Sequence, residues 1–396
     1  MRIHGLAIVL RMYDLLLRDP NIRTIFDLTH QRDGTQPRAL AQAVIAYAEN
    51  IDNLAALGPA IERIASRHAA LNIQPHHYDA FAIALLQGVR DILGDAATPE
   101  IVAAWTEAIG LLKTIFTTHE EEIYKARATA PGGWRGYRRF KFELIVPESS
   151  RISSFYLVPA DGQPLPAFQP GQYLTLKLDV PGYGPLLRHY SLSSGAVQSN
   201  FYRISVKRED APEEGIMPGL SSSYLHTIDT PGLLIDVAPP AGVFTLPDGE
   251  RPLVLIAGGV GITPLLSMLE RIAATQPNRI VHFIHAVRSH AHHAFGREVR
   301  DFIGRLPQGQ AHIFYEKIGP EAKLGTDYHH IGRADPAWIA QNSKASEALY
   351  LVCGPRGFMR ATIQGLLAQG IAPDRILYEF FGATDEDLLT IPALAA

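Results

Sequence analysis

The stretch LVLIAGGVGITPLLSML sets a continuous apolar run before Gly258, Gly259 and Gly261, with Val260 between them, and an amphipathic run opens at Ile262, Thr263 and Pro264. Small residues at the end of a strand let a phosphate approach the backbone, and free N–H groups at a helix start favour its negative charge. A dinucleotide pyrophosphate suits such a turn. The spacing is not G-x-G-x-x-G, so alone it reads equally well as a plain strand-to-helix turn. YLVCGPRGFM ends a second apolar run at Cys353, Gly354 and Pro355, where ligands collect if the strands are parallel. In RHYSLSS, Arg188 can pair with a phosphate, Tyr190 can lie on an aromatic ring, and Ser191 can hydrogen-bond a ring nitrogen. Residues 64–78, IASRHAALNIQPHHY, hold a different chemistry. Ile61, Ile64, Ala65 and His68 fall at i, i+3, i+4 and i+7, which puts the His68 imidazole on the buried face of a helix, where it needs a partner. His76 and His77, beside Pro75, are expected to face solvent.

The elements that must position these groups follow from changes of texture along the chain. Up to about Tyr124 the pattern is helical, broken at RDPN, HQRDGTQP, NIQP and GDAATPE. Glycine and proline then cluster in ATAPGGWRGYRRF, and short alternating runs such as FKFELIVPE, QYLTLKLDV and YRISVKRE predict an antiparallel β-barrel. From Arg251 buried strands alternate with amphipathic helices, the pattern of an α/β parallel-sheet domain. The expected division is a multidomain chain: an all-α domain over 1–128, the barrel over 129–248 and the α/β domain over 249–396. A length of 396 residues suits such a division. The net charge of -4 gives no reason to expect nucleic acid or an anionic membrane as a partner. A single cysteine excludes an internal disulfide framework and fits the cytoplasm. No membrane span and no amino-terminal signal are expected.

The order of the carboxyl-terminal motifs resembles the ferredoxin reductase family, from Trp134 to the end. That resemblance implies that Arg188, His189, Tyr190, Ser191 and Tyr173 of GQY hold FAD, and that Ser222 of GLSSSYLH meets its pyrophosphate. It further implies that residues 258–264 bind NAD(P)H and that Cys353, Gly354 and Pro355 lie near the nicotinamide. In the terminal YEFFG, Glu379, Phe380, Phe381 and Gly382 resemble the segment that covers the flavin, a role assigned to Phe381 ahead of Phe380. Arg288 is a candidate for a ribose 2'-phosphate, and NADH versus NADPH stays open.

The amino-terminal third resembles a globin, with His68 at the position of the haem iron ligand and Phe26 matching the phenylalanine that packs on haem. Tyr13, Gln36 and Leu40 match the residues over the open iron position. A globin joined to such a reductase resembles the flavohaemoglobins, or nitric oxide dioxygenases. That family implies haem b, FAD and NAD(P)H as cofactors, dioxygen and nitric oxide as substrates, and a monomer. It also implies Tyr78 and Glu120 as hydrogen-bond partners of His68, with position in the motif favouring Glu120 over Glu121 and Glu122. Arg67 stands where the family has lysine, within reach of Glu379 or a haem propionate. The first globin helix is expected to be missing. The alternatives are a haem gas sensor or carrier with its own reductase, and a flavin reductase whose globin holds little haem.

Overall fold

A computed structural model describes residues 3–25, 35–195, 200–211, 218–343 and 347–381. The helical part comprises α1 (Gly5–Leu16), α2 (Pro20–Arg23), α3 (Thr35–Glu49), α4 (Gly58–Ala70), α5 (Pro75–Leu93) and α6 (Pro99–Thr129). Proline at the first turn starts several of these helices, because its missing N–H has no partner there anyway. Asp19 caps α2 by accepting from Asn21 N–H, and Thr98 caps α6 by accepting from Ile101 N–H.

Contrary to the expectation from sequence, α6 is long and apolar enough by length and composition to cross a membrane. Only 11% of that apolar stretch is buried, with Phe116, Glu120 and Tyr124 on the face packed against α4 and α5. The sequence-based expectation for His77 is also corrected. Its Nδ1 accepts from Gln74 N–H at 2.9 Å and caps α5, so the half-buried ring serves the helix start rather than solvent.

Six strands, β1 (Arg138–Pro147), β2 (Ile152–Pro159), β3 (Tyr173–Val180), β4 (Gly184–Ser191), β5 (Tyr202–Lys207) and β6 (Leu234–Val237), form an antiparallel sheet ordered β4-β3-β6-β1-β2-β5. An isolated Leu192–Ile204 bridge brings the end of β4 to β5, curling the sheet into a half-barrel around Phe140, Phe142, Leu174 and Leu176. The short helix α7 (Leu220–Leu225) lies beside it. Trp134 ties the preceding linker in by donating to Val237 O at 3.1 Å. Arg135 pairs with Glu121 of α6 through both carboxylate oxygens, so helix and barrel meet without slack.

The last domain is a parallel sheet ordered β10-β9-β8-β7-β11-β12. Its strands are β7 (Leu253–Gly258), β8 (Val281–Val287), β9 (Gly309–Tyr315), β10 (His330–Ile331), β11 (Leu349–Cys353) and β12 (Ile376–Glu379). Helices α8 (Ile262–Thr275) and α9 (Gly296–Ile303) cover one face, and α10 (Pro336–Asn342) and α11 (Arg356–Ala368) the other. Strands buried on both faces read as unbroken apolar runs, which is why β7 and β11 stand out in the sequence. Strand order reverses between β7 and β11, and this switch point is where a crevice opens at the carboxyl ends of such a sheet.

An ion pair, buried on its Arg203 side and 32% exposed at Glu298, joins barrel and α/β domain. Arg203 of β5 donates to both oxygens of Glu298 on α9, each at 2.9 Å, and also to Ser193 O. Glu298→Ala leaves that guanidinium buried and largely unpaired, so the reductase domains should lose about 3 kcal/mol, read as a lower denaturant midpoint. Burial also holds His285 and His312 down to about 4, with His330 and His282 adding to the effect on His312. An unfolded histidine titrates near 6.5, so the stability these neutral rings permit is whole above that pH and is lost as the pH falls toward 4. The denaturant midpoint should drop across that window; a midpoint flat from pH 7 to about 4.5 would contradict it.

Candidate functional site

His68 lies in the last turn of α4, opposite α5 and α6. Its Nδ1 lies 2.8 Å from Tyr78 Oη and 2.9 Å from Glu120 Oε1. Tyr78 in turn donates its proton to Glu120 Oε1. Burial, then the Glu120 charge, pushes the Tyr78 hydroxyl well above its ordinary range, so it remains a donor. Glu120 is buried at 2% exposure, and a carboxylate so placed accepts only, so Nδ1 carries the ring proton. The Nε2 lone pair is thereby left for a ligand. The side chain is 32% exposed, more open than the periodicity implies.

Apolar residues of the helical domain do not merge into one core. Ile8, Val9, Met12 and Tyr13 form one cluster with Leu40 against it, while Ala65, Tyr78 and Phe116 form another beside His68. Gln36 adds a buried Oε1 without a hydrogen-bond partner among the described residues. A split apolar core, one free imidazole nitrogen and an orphaned amide oxygen fit a flat apolar ring system carrying a metal. Phe26 lies outside the described residues.

At the barrel, β3 and β4 set Tyr173 opposite Ser191, Leu174 opposite Tyr190, Thr175 opposite His189 and Leu176 opposite Arg188. Thr175 and His189 hydrogen-bond at 2.8 Å, and the His189 ring leans on Tyr173. Tyr173 meets Ala70 of α4, so the helical domain touches the barrel two residues from His68. Its hydroxyl is buried without a partner and is pushed up to about 12 by burial. Ser222 Oγ donates to Gly219 O and accepts from Glu209 N–H at the start of α7.

Glu379, paired with Cys353 across β11 and β12, has an unpartnered buried oxygen. Burial pushes its carboxyl up to about 8, and Arg67 opposes that rise without forming a direct ion pair. Arg127 of α6, which the sequence did not single out, points a solvent-shielded and unpartnered Nη1 into the same region, where the Tyr173 and Tyr124 hydroxyls act on it. Nothing in the helical periodicity distinguishes Arg127 from a surface cation. These orphaned polar atoms around the domain junction fit a planar, polar, hydrogen-bonding group such as a flavin. Phe380 packs partly into the α/β core, Phe381 is 47% exposed, and Gly382 lies outside the described residues.

Gly258, Gly259, Val260 and Gly261 end β7 and form a short turn into Ile262, Thr263 and Pro264 at the head of α8. A Cβ on Gly261 would stand 2.3 Å from Cys353 O, so only glycine lets this turn lie against Cys353, Gly354 and Pro355. Cys353 is fully buried, and burial pushes its thiol well up, with Glu379 adding to the effect. Arg288 follows β8, where its carbonyl accepts from Lys317 N–H.

A helical domain with one presented imidazole, joined to a nucleotide-type α/β domain through a flavin-type barrel, defines a haem protein fused to a reductase. A globin family model matches residues 11–116, and a model described as an oxidoreductase NAD-binding domain matches residues 255–364. The flavohemoprotein of Bordetella parapertussis is 40% identical, over 96% of this chain and 94% of its own length. A crystal structure of a Malassezia yamatoensis flavohemoglobin with bound FAD and heme superposes with a TM-score of 0.82 at 27% identity, covering 96% of this chain and 95% of that one. The FAD/NAD-binding domain of a Vibrio cholerae nitric oxide dioxygenase covers 63% of this chain and 100% of its own, at 33% identity and a TM-score of 0.55. The chain belongs to the flavohemoprotein family and is an oxidoreductase.

Removing the anion behind a metal-binding imidazole usually weakens metal affinity or activity about 10- to 100-fold. Glu120→Ala is therefore expected to speed haem transfer to apomyoglobin by about tenfold or more, with flavin content unchanged. An unaltered transfer rate would show that Glu120 does not hold the imidazole for haem.

Proposed function

We propose that this protein is a nitric oxide dioxygenase of the cytoplasm, acting as a monomer with haem b, FAD and NAD(P)H. When bound, these groups supply the electrons and dioxygen chemistry that turn two nitric oxide and two dioxygen molecules into nitrate per NAD(P)H oxidised. The observation that carries the proposal is the Glu120–Tyr78 grip on His68 Nδ1. Such an acceptor raises the basicity of the other ring nitrogen, which favours activation of dioxygen over simple carriage.

The chain's own residues have separable tasks. His68 Nε2 would hold the haem iron, and Arg67 is the cation beside it for a propionate or for Glu379. From the other apolar cluster, Tyr13 and Gln36 would hydrogen-bond the gaseous ligand, while Leu40 would keep water from it. Arg188 meets a flavin phosphate, Tyr190 and Ser191 hold the ring system, Tyr173 and His189 border it, Ser222 lies at the pyrophosphate, and Phe381 covers the exposed face. The turn from Gly258 to Pro264 receives the nicotinamide nucleotide, and the run from Cys353 to Pro355 sets its ring near the flavin.

An absorption spectrum taken before and after anaerobic NADH, then with carbon monoxide, tests the route. A Soret band that moves to the ferrous carbonyl form supports electron passage from nicotinamide to iron, and nitric oxide consumption should follow. A flavin spectrum that bleaches without any Soret band would instead leave a flavin reductase alone. Tyr13→Phe is expected to speed dioxygen loss about tenfold or more and lower nitric oxide turnover, with flavin reduction unchanged; removal of one hydrogen bond of this kind is worth that factor. An unaltered dioxygen off-rate rules out the role given to Tyr13.

A further inference from the structure

Beneath the Gly258–Gly261 turn lies a chain of buried polar side chains that the electron path does not use. His285 of β8 is 1% exposed, and its Nε2 lies 3.0 Å from Gly259 O. A carbonyl only accepts, so Nε2 bears the proton and the Nδ1 lone pair, buried and unpartnered, faces away. The His293 ring stands edge-on to His285, with centroids 5.3 Å apart. On its far side His293 Nδ1 lies 2.7 Å from the hydroxyl of Tyr315, a residue with no exposure. An imidazole nitrogen accepts better than a phenol oxygen, so Tyr315 donates and His293 carries its proton on Nε2. That Nε2 is also buried and unpartnered. An orphaned donor on His293 and an orphaned acceptor on His285 thus stand on neighbouring rings, within reach of one bridging water or a small ring rotation. Gly296 holds the arrangement from below, since a Cβ there would come within 2.8 Å of the His293 ring.

The consequence reaches the nucleotide through one peptide plane. Gly259 has a positive φ of 51°, and its carbonyl accepts from both His285 and Ile262 N–H. In a trans peptide the carbonyl and the following N–H point in opposite directions. Drawing Gly259 O inward therefore turns Val260 N–H outward, to the side of the turn away from His285.

We propose that His285, with its tautomer set by His293 and Tyr315, is a positioning residue for the nicotinamide dinucleotide, holding the Gly259–Val260 peptide so that Val260 N–H meets the pyrophosphate. This rests on nucleotide binding at the Gly258–Gly261 turn. His285 is buried beneath the turn and acts through its backbone, so the loss falls on binding and not on electron transfer.

The test uses the full-length holoprotein, with ADP-ribose binding by calorimetry and flavin reduction by NADH in stopped flow. His285→Leu should weaken ADP-ribose binding about tenfold or more and raise the apparent NADH constant in parallel, with the limiting rate of flavin reduction within about twofold of the parent. His285→Gln, which keeps a donor near the Nε2 position, should restore most of the affinity. Tyr315→Phe preserves the ring packing while removing the proton that sets the tautomer, and should cost about threefold to fivefold; it gives the same readout even where His285→Leu does not fold. Equal binding by folded His285→Leu or Tyr315→Phe, a glutamine variant as weak as leucine, or a loss confined to the limiting rate would each overturn the proposal. Absence of ADP-ribose binding in the parent protein would instead overturn nucleotide binding at this turn.

Discussion

A neutral imidazole has one lone pair, and the helical domain depends on which ring nitrogen keeps it. Glu120 settles the matter for His68: a buried carboxylate can only accept, so the proton stays on Nδ1 and the Nε2 lone pair is left for a ligand. The arrangement needs α6 to run past α4 at a fixed height. Tyr124, one turn beyond Glu120, donates to Ile73 O at 2.7 Å and fixes the chain that leaves the histidine helix. Phe116, one turn before, packs against the His68 ring. The same helix continues into Glu121, which holds Arg135 of the linker, so orientation of the imidazole and attachment of the barrel share one rigid rod.

The barrel and the α/β domain are fastened with similar economy. Gly195, just beyond the flavin-type strand β4, donates to Glu270 and accepts from Arg271, and Ser267 donates to Ser194 O. A Cβ on Gly195 would meet Ser267 O at 2.0 Å, so the loop lies directly on α8. The helix whose first turn faces the nucleotide crevice therefore holds, along its flank, the loop that follows the flavin motif. Together with the Arg203–Glu298 pair and the packing of Ile152 and Phe244 into the α/β core, this defines the separation of the two crevices.

Much of this was legible in the sequence because it rests on local pattern. Unbroken apolar runs ending in small residues marked β7 and β11, and helical periodicity marked His68. Grouping by distant pairing was not legible. Arg127 reads as one more cation on a long helix, and only the approach of β3 shows that its guanidinium is shielded. His285 and His293 lie in a stretch crowded with histidines; their relation to Tyr315 and Gly259 depends on β7, β8 and β9 lying side by side. His77 sits in a stretch that reads as loop because of Pro75, and only the fold shows its side chain capping the helix. Scattered polar residues interrupt the apolar run of α6 and mask its length in the sequence.

The glycine turn that presses on Cys353 has a chemical consequence of its own. Nitrosation and oxidation of a thiol proceed through an accessible thiolate. The chain's single sulfhydryl is sealed beneath Gly261, kept protonated by burial and by Glu379, and paired into a parallel sheet. Reagents that nitrosate or oxidise exposed thiols therefore meet a shielded, protonated sulfur at Cys353.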